Sequence, residues 1–81
     1  MRIEVLYFAA AKDAAGCPKE MLELEPGTTA GQLLSAVSAK RPKLQKLVKQ
    51  LRLAVNEEFA EADHALHEGD VVALIPPVAG G

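Results

Sequence analysis

Thr29-x-x-Gln32 constrains this chain most, because it marks the start of the one substantial helix in a sequence that otherwise reads as strands and turns. In a capping box the Thr hydroxyl accepts a first-turn backbone N–H, and the Gln side chain reaches back to the cap residue. Behind it Ala30, Leu33, Leu34 and Val37 repeat at helical spacing on one face. The helix is predicted to run to about Lys40, since Pro42 disfavours helical backbone at Arg41. One main helix with an apolar stripe needs a sheet to lie on.

Strand signals flank it on both sides. Ile3, Val5 and Tyr7 alternate with Glu4, Leu6 and Phe8, which predicts a strand over 2–9. Further strands are predicted at 19–24, around Leu51, Leu53 and Val55, briefly around Phe59, and at 71–75. Ala9 to Ala15 suits a short helical turn stopped by Gly16. Leu44, Leu47 and Val48 suggest another short helical piece. Pro26-Gly27, Asn56-Glu57 and Glu68-Gly69-Asp70 are turns. The economical arrangement is an α+β two-layer domain, a mixed four- to five-stranded sheet with one main helix across one face. It occupies residues 1–75, and residues 76–81 form an extended tail. Eighty-one residues allow one domain.

Parity along the strands adds a second expectation. Ile3, Val5, Tyr7, Leu53, Val55, Val72 and Leu74 make the helix-facing set. The opposite parity holds Leu6, Phe8, Ala54, Val71, Ala73 and Ile75, which should be polar if that face met only water. Either this face receives a partner, or loops cover it, or one strand is read a residue out of register. The partner reading is the stronger.

Composition removes several function classes. Net charge is −2 with acids and bases read as interspersed, and there is no electrostatic footprint for nucleic acid. The basic group Lys40, Arg41, Lys43, Lys46 and Lys49 has no aromatic interleaving and reads as a solvated helix face. Cys17 is the single cysteine, so no internal disulfide forms, and it reads as an unremarkable loop thiol. The first residues are too charged and their apolar stretch too short for a signal peptide or membrane span, so a cytoplasmic protein is expected. His64 and His67 lie near Glu61, Asp63 and Glu68, but the segment reads as an ordinary surface loop with no metal site. Asp63 and Asp70 read as turn and cap residues. Gly27-Thr28-Thr29-Ala30-Gly31 lacks the lysine of a phosphate-binding loop.

The last residues, Pro76-Pro77-Val78-Ala79-Gly80-Gly81, carry the functional signal. A terminal Gly-Gly pair is about a one-in-200 accident at average glycine usage. Pro-Pro ends a sheet ladder and favours extended backbone, so six residues can reach about 18 Å. Two residues without side chains fit a narrow slot, and the one reactive group there is the α-carboxylate of Gly81.

Val5-Leu6-Tyr7-Phe8-Ala9, the strand end Leu53-Ala54-Val55-Asn56, the segment from Leu66 to Ala73 and the tail from Ile75 to Gly81 together resemble the small, sulfur-carrier subunit family of molybdopterin synthase. The resemblance runs the whole length, and Pro-Pro-Val-x-Gly-Gly is its most specific part. Gly-Gly alone also suits ubiquitin, the thiamine-pathway sulfur carrier and ubiquitin-related modifiers, which share the β-grasp fold.

The resemblance implies a cycle. An adenylyltransferase of the ubiquitin-activating type adenylates Gly81 with ATP, and a sulfur donor protein displaces AMP to leave a thiocarboxylate. The charged tail, Pro76, Pro77, Val78, Ala79 and Gly80 with Gly81, enters the large subunit of molybdopterin synthase. Its sulfur passes there to cyclic pyranopterin monophosphate. The assembly implied is a heterotetramer. The chain itself then binds no cofactor, with ATP held by the activating partner. The resemblance also assigns a partner interface to Phe8, Phe59 and Ile75. Phe59 alternatively reads as a core plug. Lys12 stands where some members have arginine near acidic partner residues; it keeps the charge without the bidentate geometry. The rival readings are a carrier for thiamine or tRNA thiolation, a protein modifier, and an interaction module whose glycines are incidental.

Overall fold

The computed structural model describes residues 1–77. The chain forms β1 (Arg2–Tyr7), α1 (Ala10–Ala15), β2 (Lys19–Glu23), α2 (Ala30–Ala39), α3 (Pro42–Gln45), a 3-10 turn (Val48–Gln50), β3 (Arg52–Val55), β4 (Glu58–Ala60) and β5 (Val71–Ile75). The five strands make one mixed sheet in the order β2-β1-β5-β3-β4. β5 lies between β1, to which it is parallel, and β3, to which it is antiparallel. With α2 across one face this is the β-grasp arrangement.

Local chemistry accounts for the elements. Gln32 N–H donates to Thr29 Oγ1 at 3.2 Å and Thr29 N–H to Gln32 Oε1 at 2.9 Å, so the capping box is complete. The remaining first-turn donors of α2 reach a crossing loop: Ala30 N–H to His64 O at 2.9 Å and Gly31 N–H to Ala62 O at 2.8 Å. That loop comes so close that a Cβ on Gly31 would stand 2.8 Å from Ala62 Cβ. It then drops Leu66 into the core. α2 buries Ala30, Leu33 and Val37 against the predicted inner set, and all seven residues of that set are buried.

The turns follow their residues. Asn56 and Glu57 both have positive φ, 51° and 72°, the two-residue I′ turn that matches strand twist. Gly16 closes α1 in the left-handed conformation. β1 stops at Tyr7, short of residue 9, because Ala9 turns the chain at φ 49° and ψ −124°. Ala11 N–H bonds Phe8 O across this corner at 2.9 Å. It is a II′-type corner, a position that favours glycine. The helical piece expected at 44–48 divides into α3 and the 3-10 turn. Among the described residues no helix is long and apolar enough to cross a membrane.

Candidate functional site

The outer face of the sheet is a shallow concavity of about 230 Å³. Leu6, Phe8, Ala54, Val71, Ala73 and Ile75, the complete opposite-parity set, line it together with Phe59 and Glu57. The apolar outer face is therefore real: the register is as read, and the loops leave it open. Phe59 is 62 % exposed and Phe8 46 %, so Phe59 is no core plug. The three residues assigned to an interface by resemblance, Phe8, Phe59 and Ile75, share this concavity.

Lys12 does not line it. It is exposed in α1, one helical turn beyond Phe8, whose carbonyl accepts its N–H at 3.4 Å. β5 ends at Ile75, Pro76 is half-buried and Pro77 exposed. Val78, Ala79, Gly80 and Gly81 lie outside the described residues.

One residue escaped the sequence reading. Arg52 opens β3, pairs with Ile75 in the ladder, and holds its guanidinium 4.0 Å from the Phe59 ring centroid. Parity points to it, since the residue before inward-facing Leu53 must face outward beside the tail's point of departure.

Arg41 corrects the sequence reading. It does not belong to a solvated basic face. Its guanidinium pairs with Glu20 at 2.8 Å, donates through Nε to Ala15 O at 3.1 Å, and lies 5.6 Å from the Tyr7 ring centroid. The Tyr7 hydroxyl donates to the same Glu20. Burial would raise the Glu20 carboxyl, but the bonds from Tyr7 and Arg41 outweigh it and hold the group below its ordinary range. Burial, reinforced by Glu20, pushes the Tyr7 phenol well up. This cluster ties β1, β2 and the start of α3 together. Lys40, Lys43, Lys46 and Lys49 are exposed as expected.

Asp70 takes its place in the turn before β5. It accepts from Asn56 Nδ2 at 2.9 Å and from His67 N–H at 2.8 Å, while Asn56 Oδ1 accepts Val71 N–H at 3.0 Å. The bond from Asn56, with that of His67, holds its carboxyl below the ordinary range. Its role is to brace the entry to β5.

An open apolar hollow with a stacked arginine on one side and Glu57 on the other suits contact with a complementary apolar patch.

Comparisons with known proteins agree with this geometry. The ThiS family matches residues 5–81. The molybdopterin synthase sulfur carrier subunit of Chlamydomonas reinhardtii is 39% identical, with 100% of both chains covered. That of Mycobacterium tuberculosis is 38% identical, with 100% of this chain and 99% of the relative covered. The crystal structure of small archaeal modifier protein 1 from H. volcanii superposes with a TM-score of 0.85 at 27% identity, over 95% of this chain and 98% of that one.

Proposed function

This chain belongs to the ThiS family, and from that membership we propose that it is the sulfur carrier subunit of molybdopterin synthase, acting in the cytoplasm. Full-length likeness to two subunits of that name carries the reading. The Gly80-Gly81 end supports it.

The proposed chemistry resides in the Gly81 carboxylate. A carboxylate is a poor acyl donor because its leaving group is poor, and adenylation by ATP replaces that group with AMP and releases pyrophosphate. Sulfide equivalents from a donor protein then displace AMP, which leaves the Gly81 thiocarboxylate. Its ionised sulfur attacks an oxygen-bearing side-chain carbon of cyclic pyranopterin monophosphate in the large subunit, and the C–S bond forms as the C–O bond at that carbon breaks, the oxygen leaving as water or staying on the opened cyclic phosphate. Hydrolysis of the resulting acyl link returns the carboxylate. A dithiolene needs two sulfurs and so two carriers. ATP is held by the adenylyltransferase, and the groups that move protons belong to the hosts, because they must touch the reacting atom. The chain supplies reach and position. Glycines avoid clashes in the receiving slots, and Pro76 and Pro77 reduce the entropy lost on threading. Phe8, Phe59 and Ile75 seat the body on the host.

Intact mass spectrometry tests this. Protein from cells with a working sulfur pathway should contain a fraction about 16 Da heavier, sulfur for oxygen at one carboxylate. It should lose that fraction when Gly81 is deleted, with unchanged thermal stability. No heavier fraction under non-hydrolysing conditions defeats the carrier reading.

The likeness to an archaeal modifier protein favours a second reading, in which the same activated terminus acylates a lysine. Isopeptide-linked conjugates in cells, with no dithiolene formed by the chain and large subunit together, would select it.

A further inference from the structure

Charges that read as interspersed along the sequence are sorted by the fold. β5 ends beside the end of β1 and the start of β3, where Arg52 faces Ile75. The same end of the sheet carries Lys19, paired with Leu6, and Lys12, in the helix that follows β1. α3 packs against α1, and Arg41 at its start reaches Ala15 O, which brings Lys40 and Lys43 to this end. Lys46 and Lys49 lie on the segment that runs from α3 into Arg52. Arg2 is the one arginine or lysine at the opposite end. There it meets Glu23, near Glu4, Glu57, Glu58, Glu68 and Asp70. A net charge of −2 thus conceals a molecule with a basic pole and an acidic pole.

The basic pole is where the tail departs. Lys12, Lys19, Lys40, Lys43, Lys46 and Lys49 are exposed, and the ion pairs among the described residues use none of them. Three acids lie toward this end: Glu20 is engaged by Arg41, while Asp13 and Glu61 are exposed. Arg52, stacked on Phe59, makes the pole continuous with the apolar concavity.

We infer that this pole is the electrostatic half of the docking surface, complementary to an acidic rim around the slot on the synthase large subunit that receives the tail. The inference rests on the sulfur-carrier reading. β5 ends at this end, so a host that takes in the tail meets ammonium groups that form no ion pair among the described residues, and carboxylates on its rim would complement them. Nucleic acid is the weaker occupant. The opposite pole and the net charge repel phosphate, and the two exposed phenylalanines lie on the sheet face and not among the lysines. Like charges gathered at one pole orient the chain tail-first before contact, which raises the association rate more than it slows dissociation.

Stopped-flow association of the full chain with the large subunit from the same organism tests this. Salt is varied from about 25 mM to about 400 mM, which shortens the Debye length from about 20 Å to about 5 Å. The rate for the unmodified chain should fall about tenfold or more. The variant Lys43→Glu, Lys46→Glu, Lys49→Glu should start about tenfold slower and respond little to salt, with dissociation nearly unchanged. The same sites changed to glutamine should fall between. A salt-indifferent rate, or equal rates for chain and variant, overturns the docking pole and leaves the carrier reading intact. No binding at any salt defeats both. Capture of the unmodified chain but not the variant by bulk tRNA would reassign the pole to nucleic acid and overturn it as well.

Discussion

The two faces of the sheet differ in fate more than in composition. On the inner face Ile3, Val5, Tyr7, Leu53, Val55, Val72 and Leu74 are sealed beneath α2. On the outer face Leu6, Val71, Ala73 and Ile75, with Phe8 and Phe59, are about as apolar but open to solvent. Burying a large apolar side chain is worth about 1.5–3 kcal/mol. The inner residues release that energy when the chain folds; on the proposed function the outer ones would release it on association. That reading assigns stability and recognition to alternate residues of the same strands, one position apart.

Adjacent residues of β5 give the sharpest test of that division. Leu74→Ala removes a fully buried side chain and should cost about 2–5 kcal/mol in urea unfolding. Ile75→Ala, on the other face, should cost less than about 1 kcal/mol. Equal losses would mean that the outer face also holds the fold together. The converse test is Phe8→Arg. It should leave the melting temperature almost unchanged and weaken large-subunit binding by at least about tenfold in calorimetry, by burying an unpaired charge at an interface centre. Unchanged affinity would place the interface elsewhere.

The inner face has one polar tip, the Tyr7 hydroxyl on Glu20, and it sets an acid limit. The folded Glu20 carboxyl titrates below its unfolded value, as does that of Asp70. Their stabilisation is therefore full above the unfolded pKa, about 4. It is lost as pH falls through the lower folded values. Thermal melts between neutral pH and about pH 3 should show this decline, and Glu20→Gln should make it shallower while costing about 1 kcal/mol at pH 7. The smallest effect is expected where the chain passes from outward Phe8 to buried Ala11. Ala9→Gly should relieve the positive-φ corner and raise stability by about 0.5–1 kcal/mol, against the usual cost of glycine. A loss instead would show that the corner is unstrained.

Much of this is legible in the amino-acid sequence. Period-two alternation separated the two faces, because one wrong register would have mixed them. The capping box and the Asn56-Glu57 turn are local chemistry and fold where they are written. Three features were not readable, each for the same reason. Arg41 looks like any member of a basic run until β1 and β2 bring Tyr7 and Glu20 beside it. Gly31 looks like a poor helix residue until the loop at Ala62 crosses it. The sorted poles follow from strand order, since β5 pairs with β1 across most of the chain. The glycines of the proposed carrier chemistry, Gly80 and Gly81, are the reverse case: they are legible in the sequence and lie outside the described residues.

The central place of β5 has a mechanical consequence. On the proposed function, a tail drawn into a slot and withdrawn would pull along β5, the strand that precedes it. With β1 on one side and β3 on the other, that load falls in shear on two hydrogen-bond ladders at once. An edge strand pulled the same way would put the load on a single ladder. Two ladders would then share a load that one would otherwise carry alone.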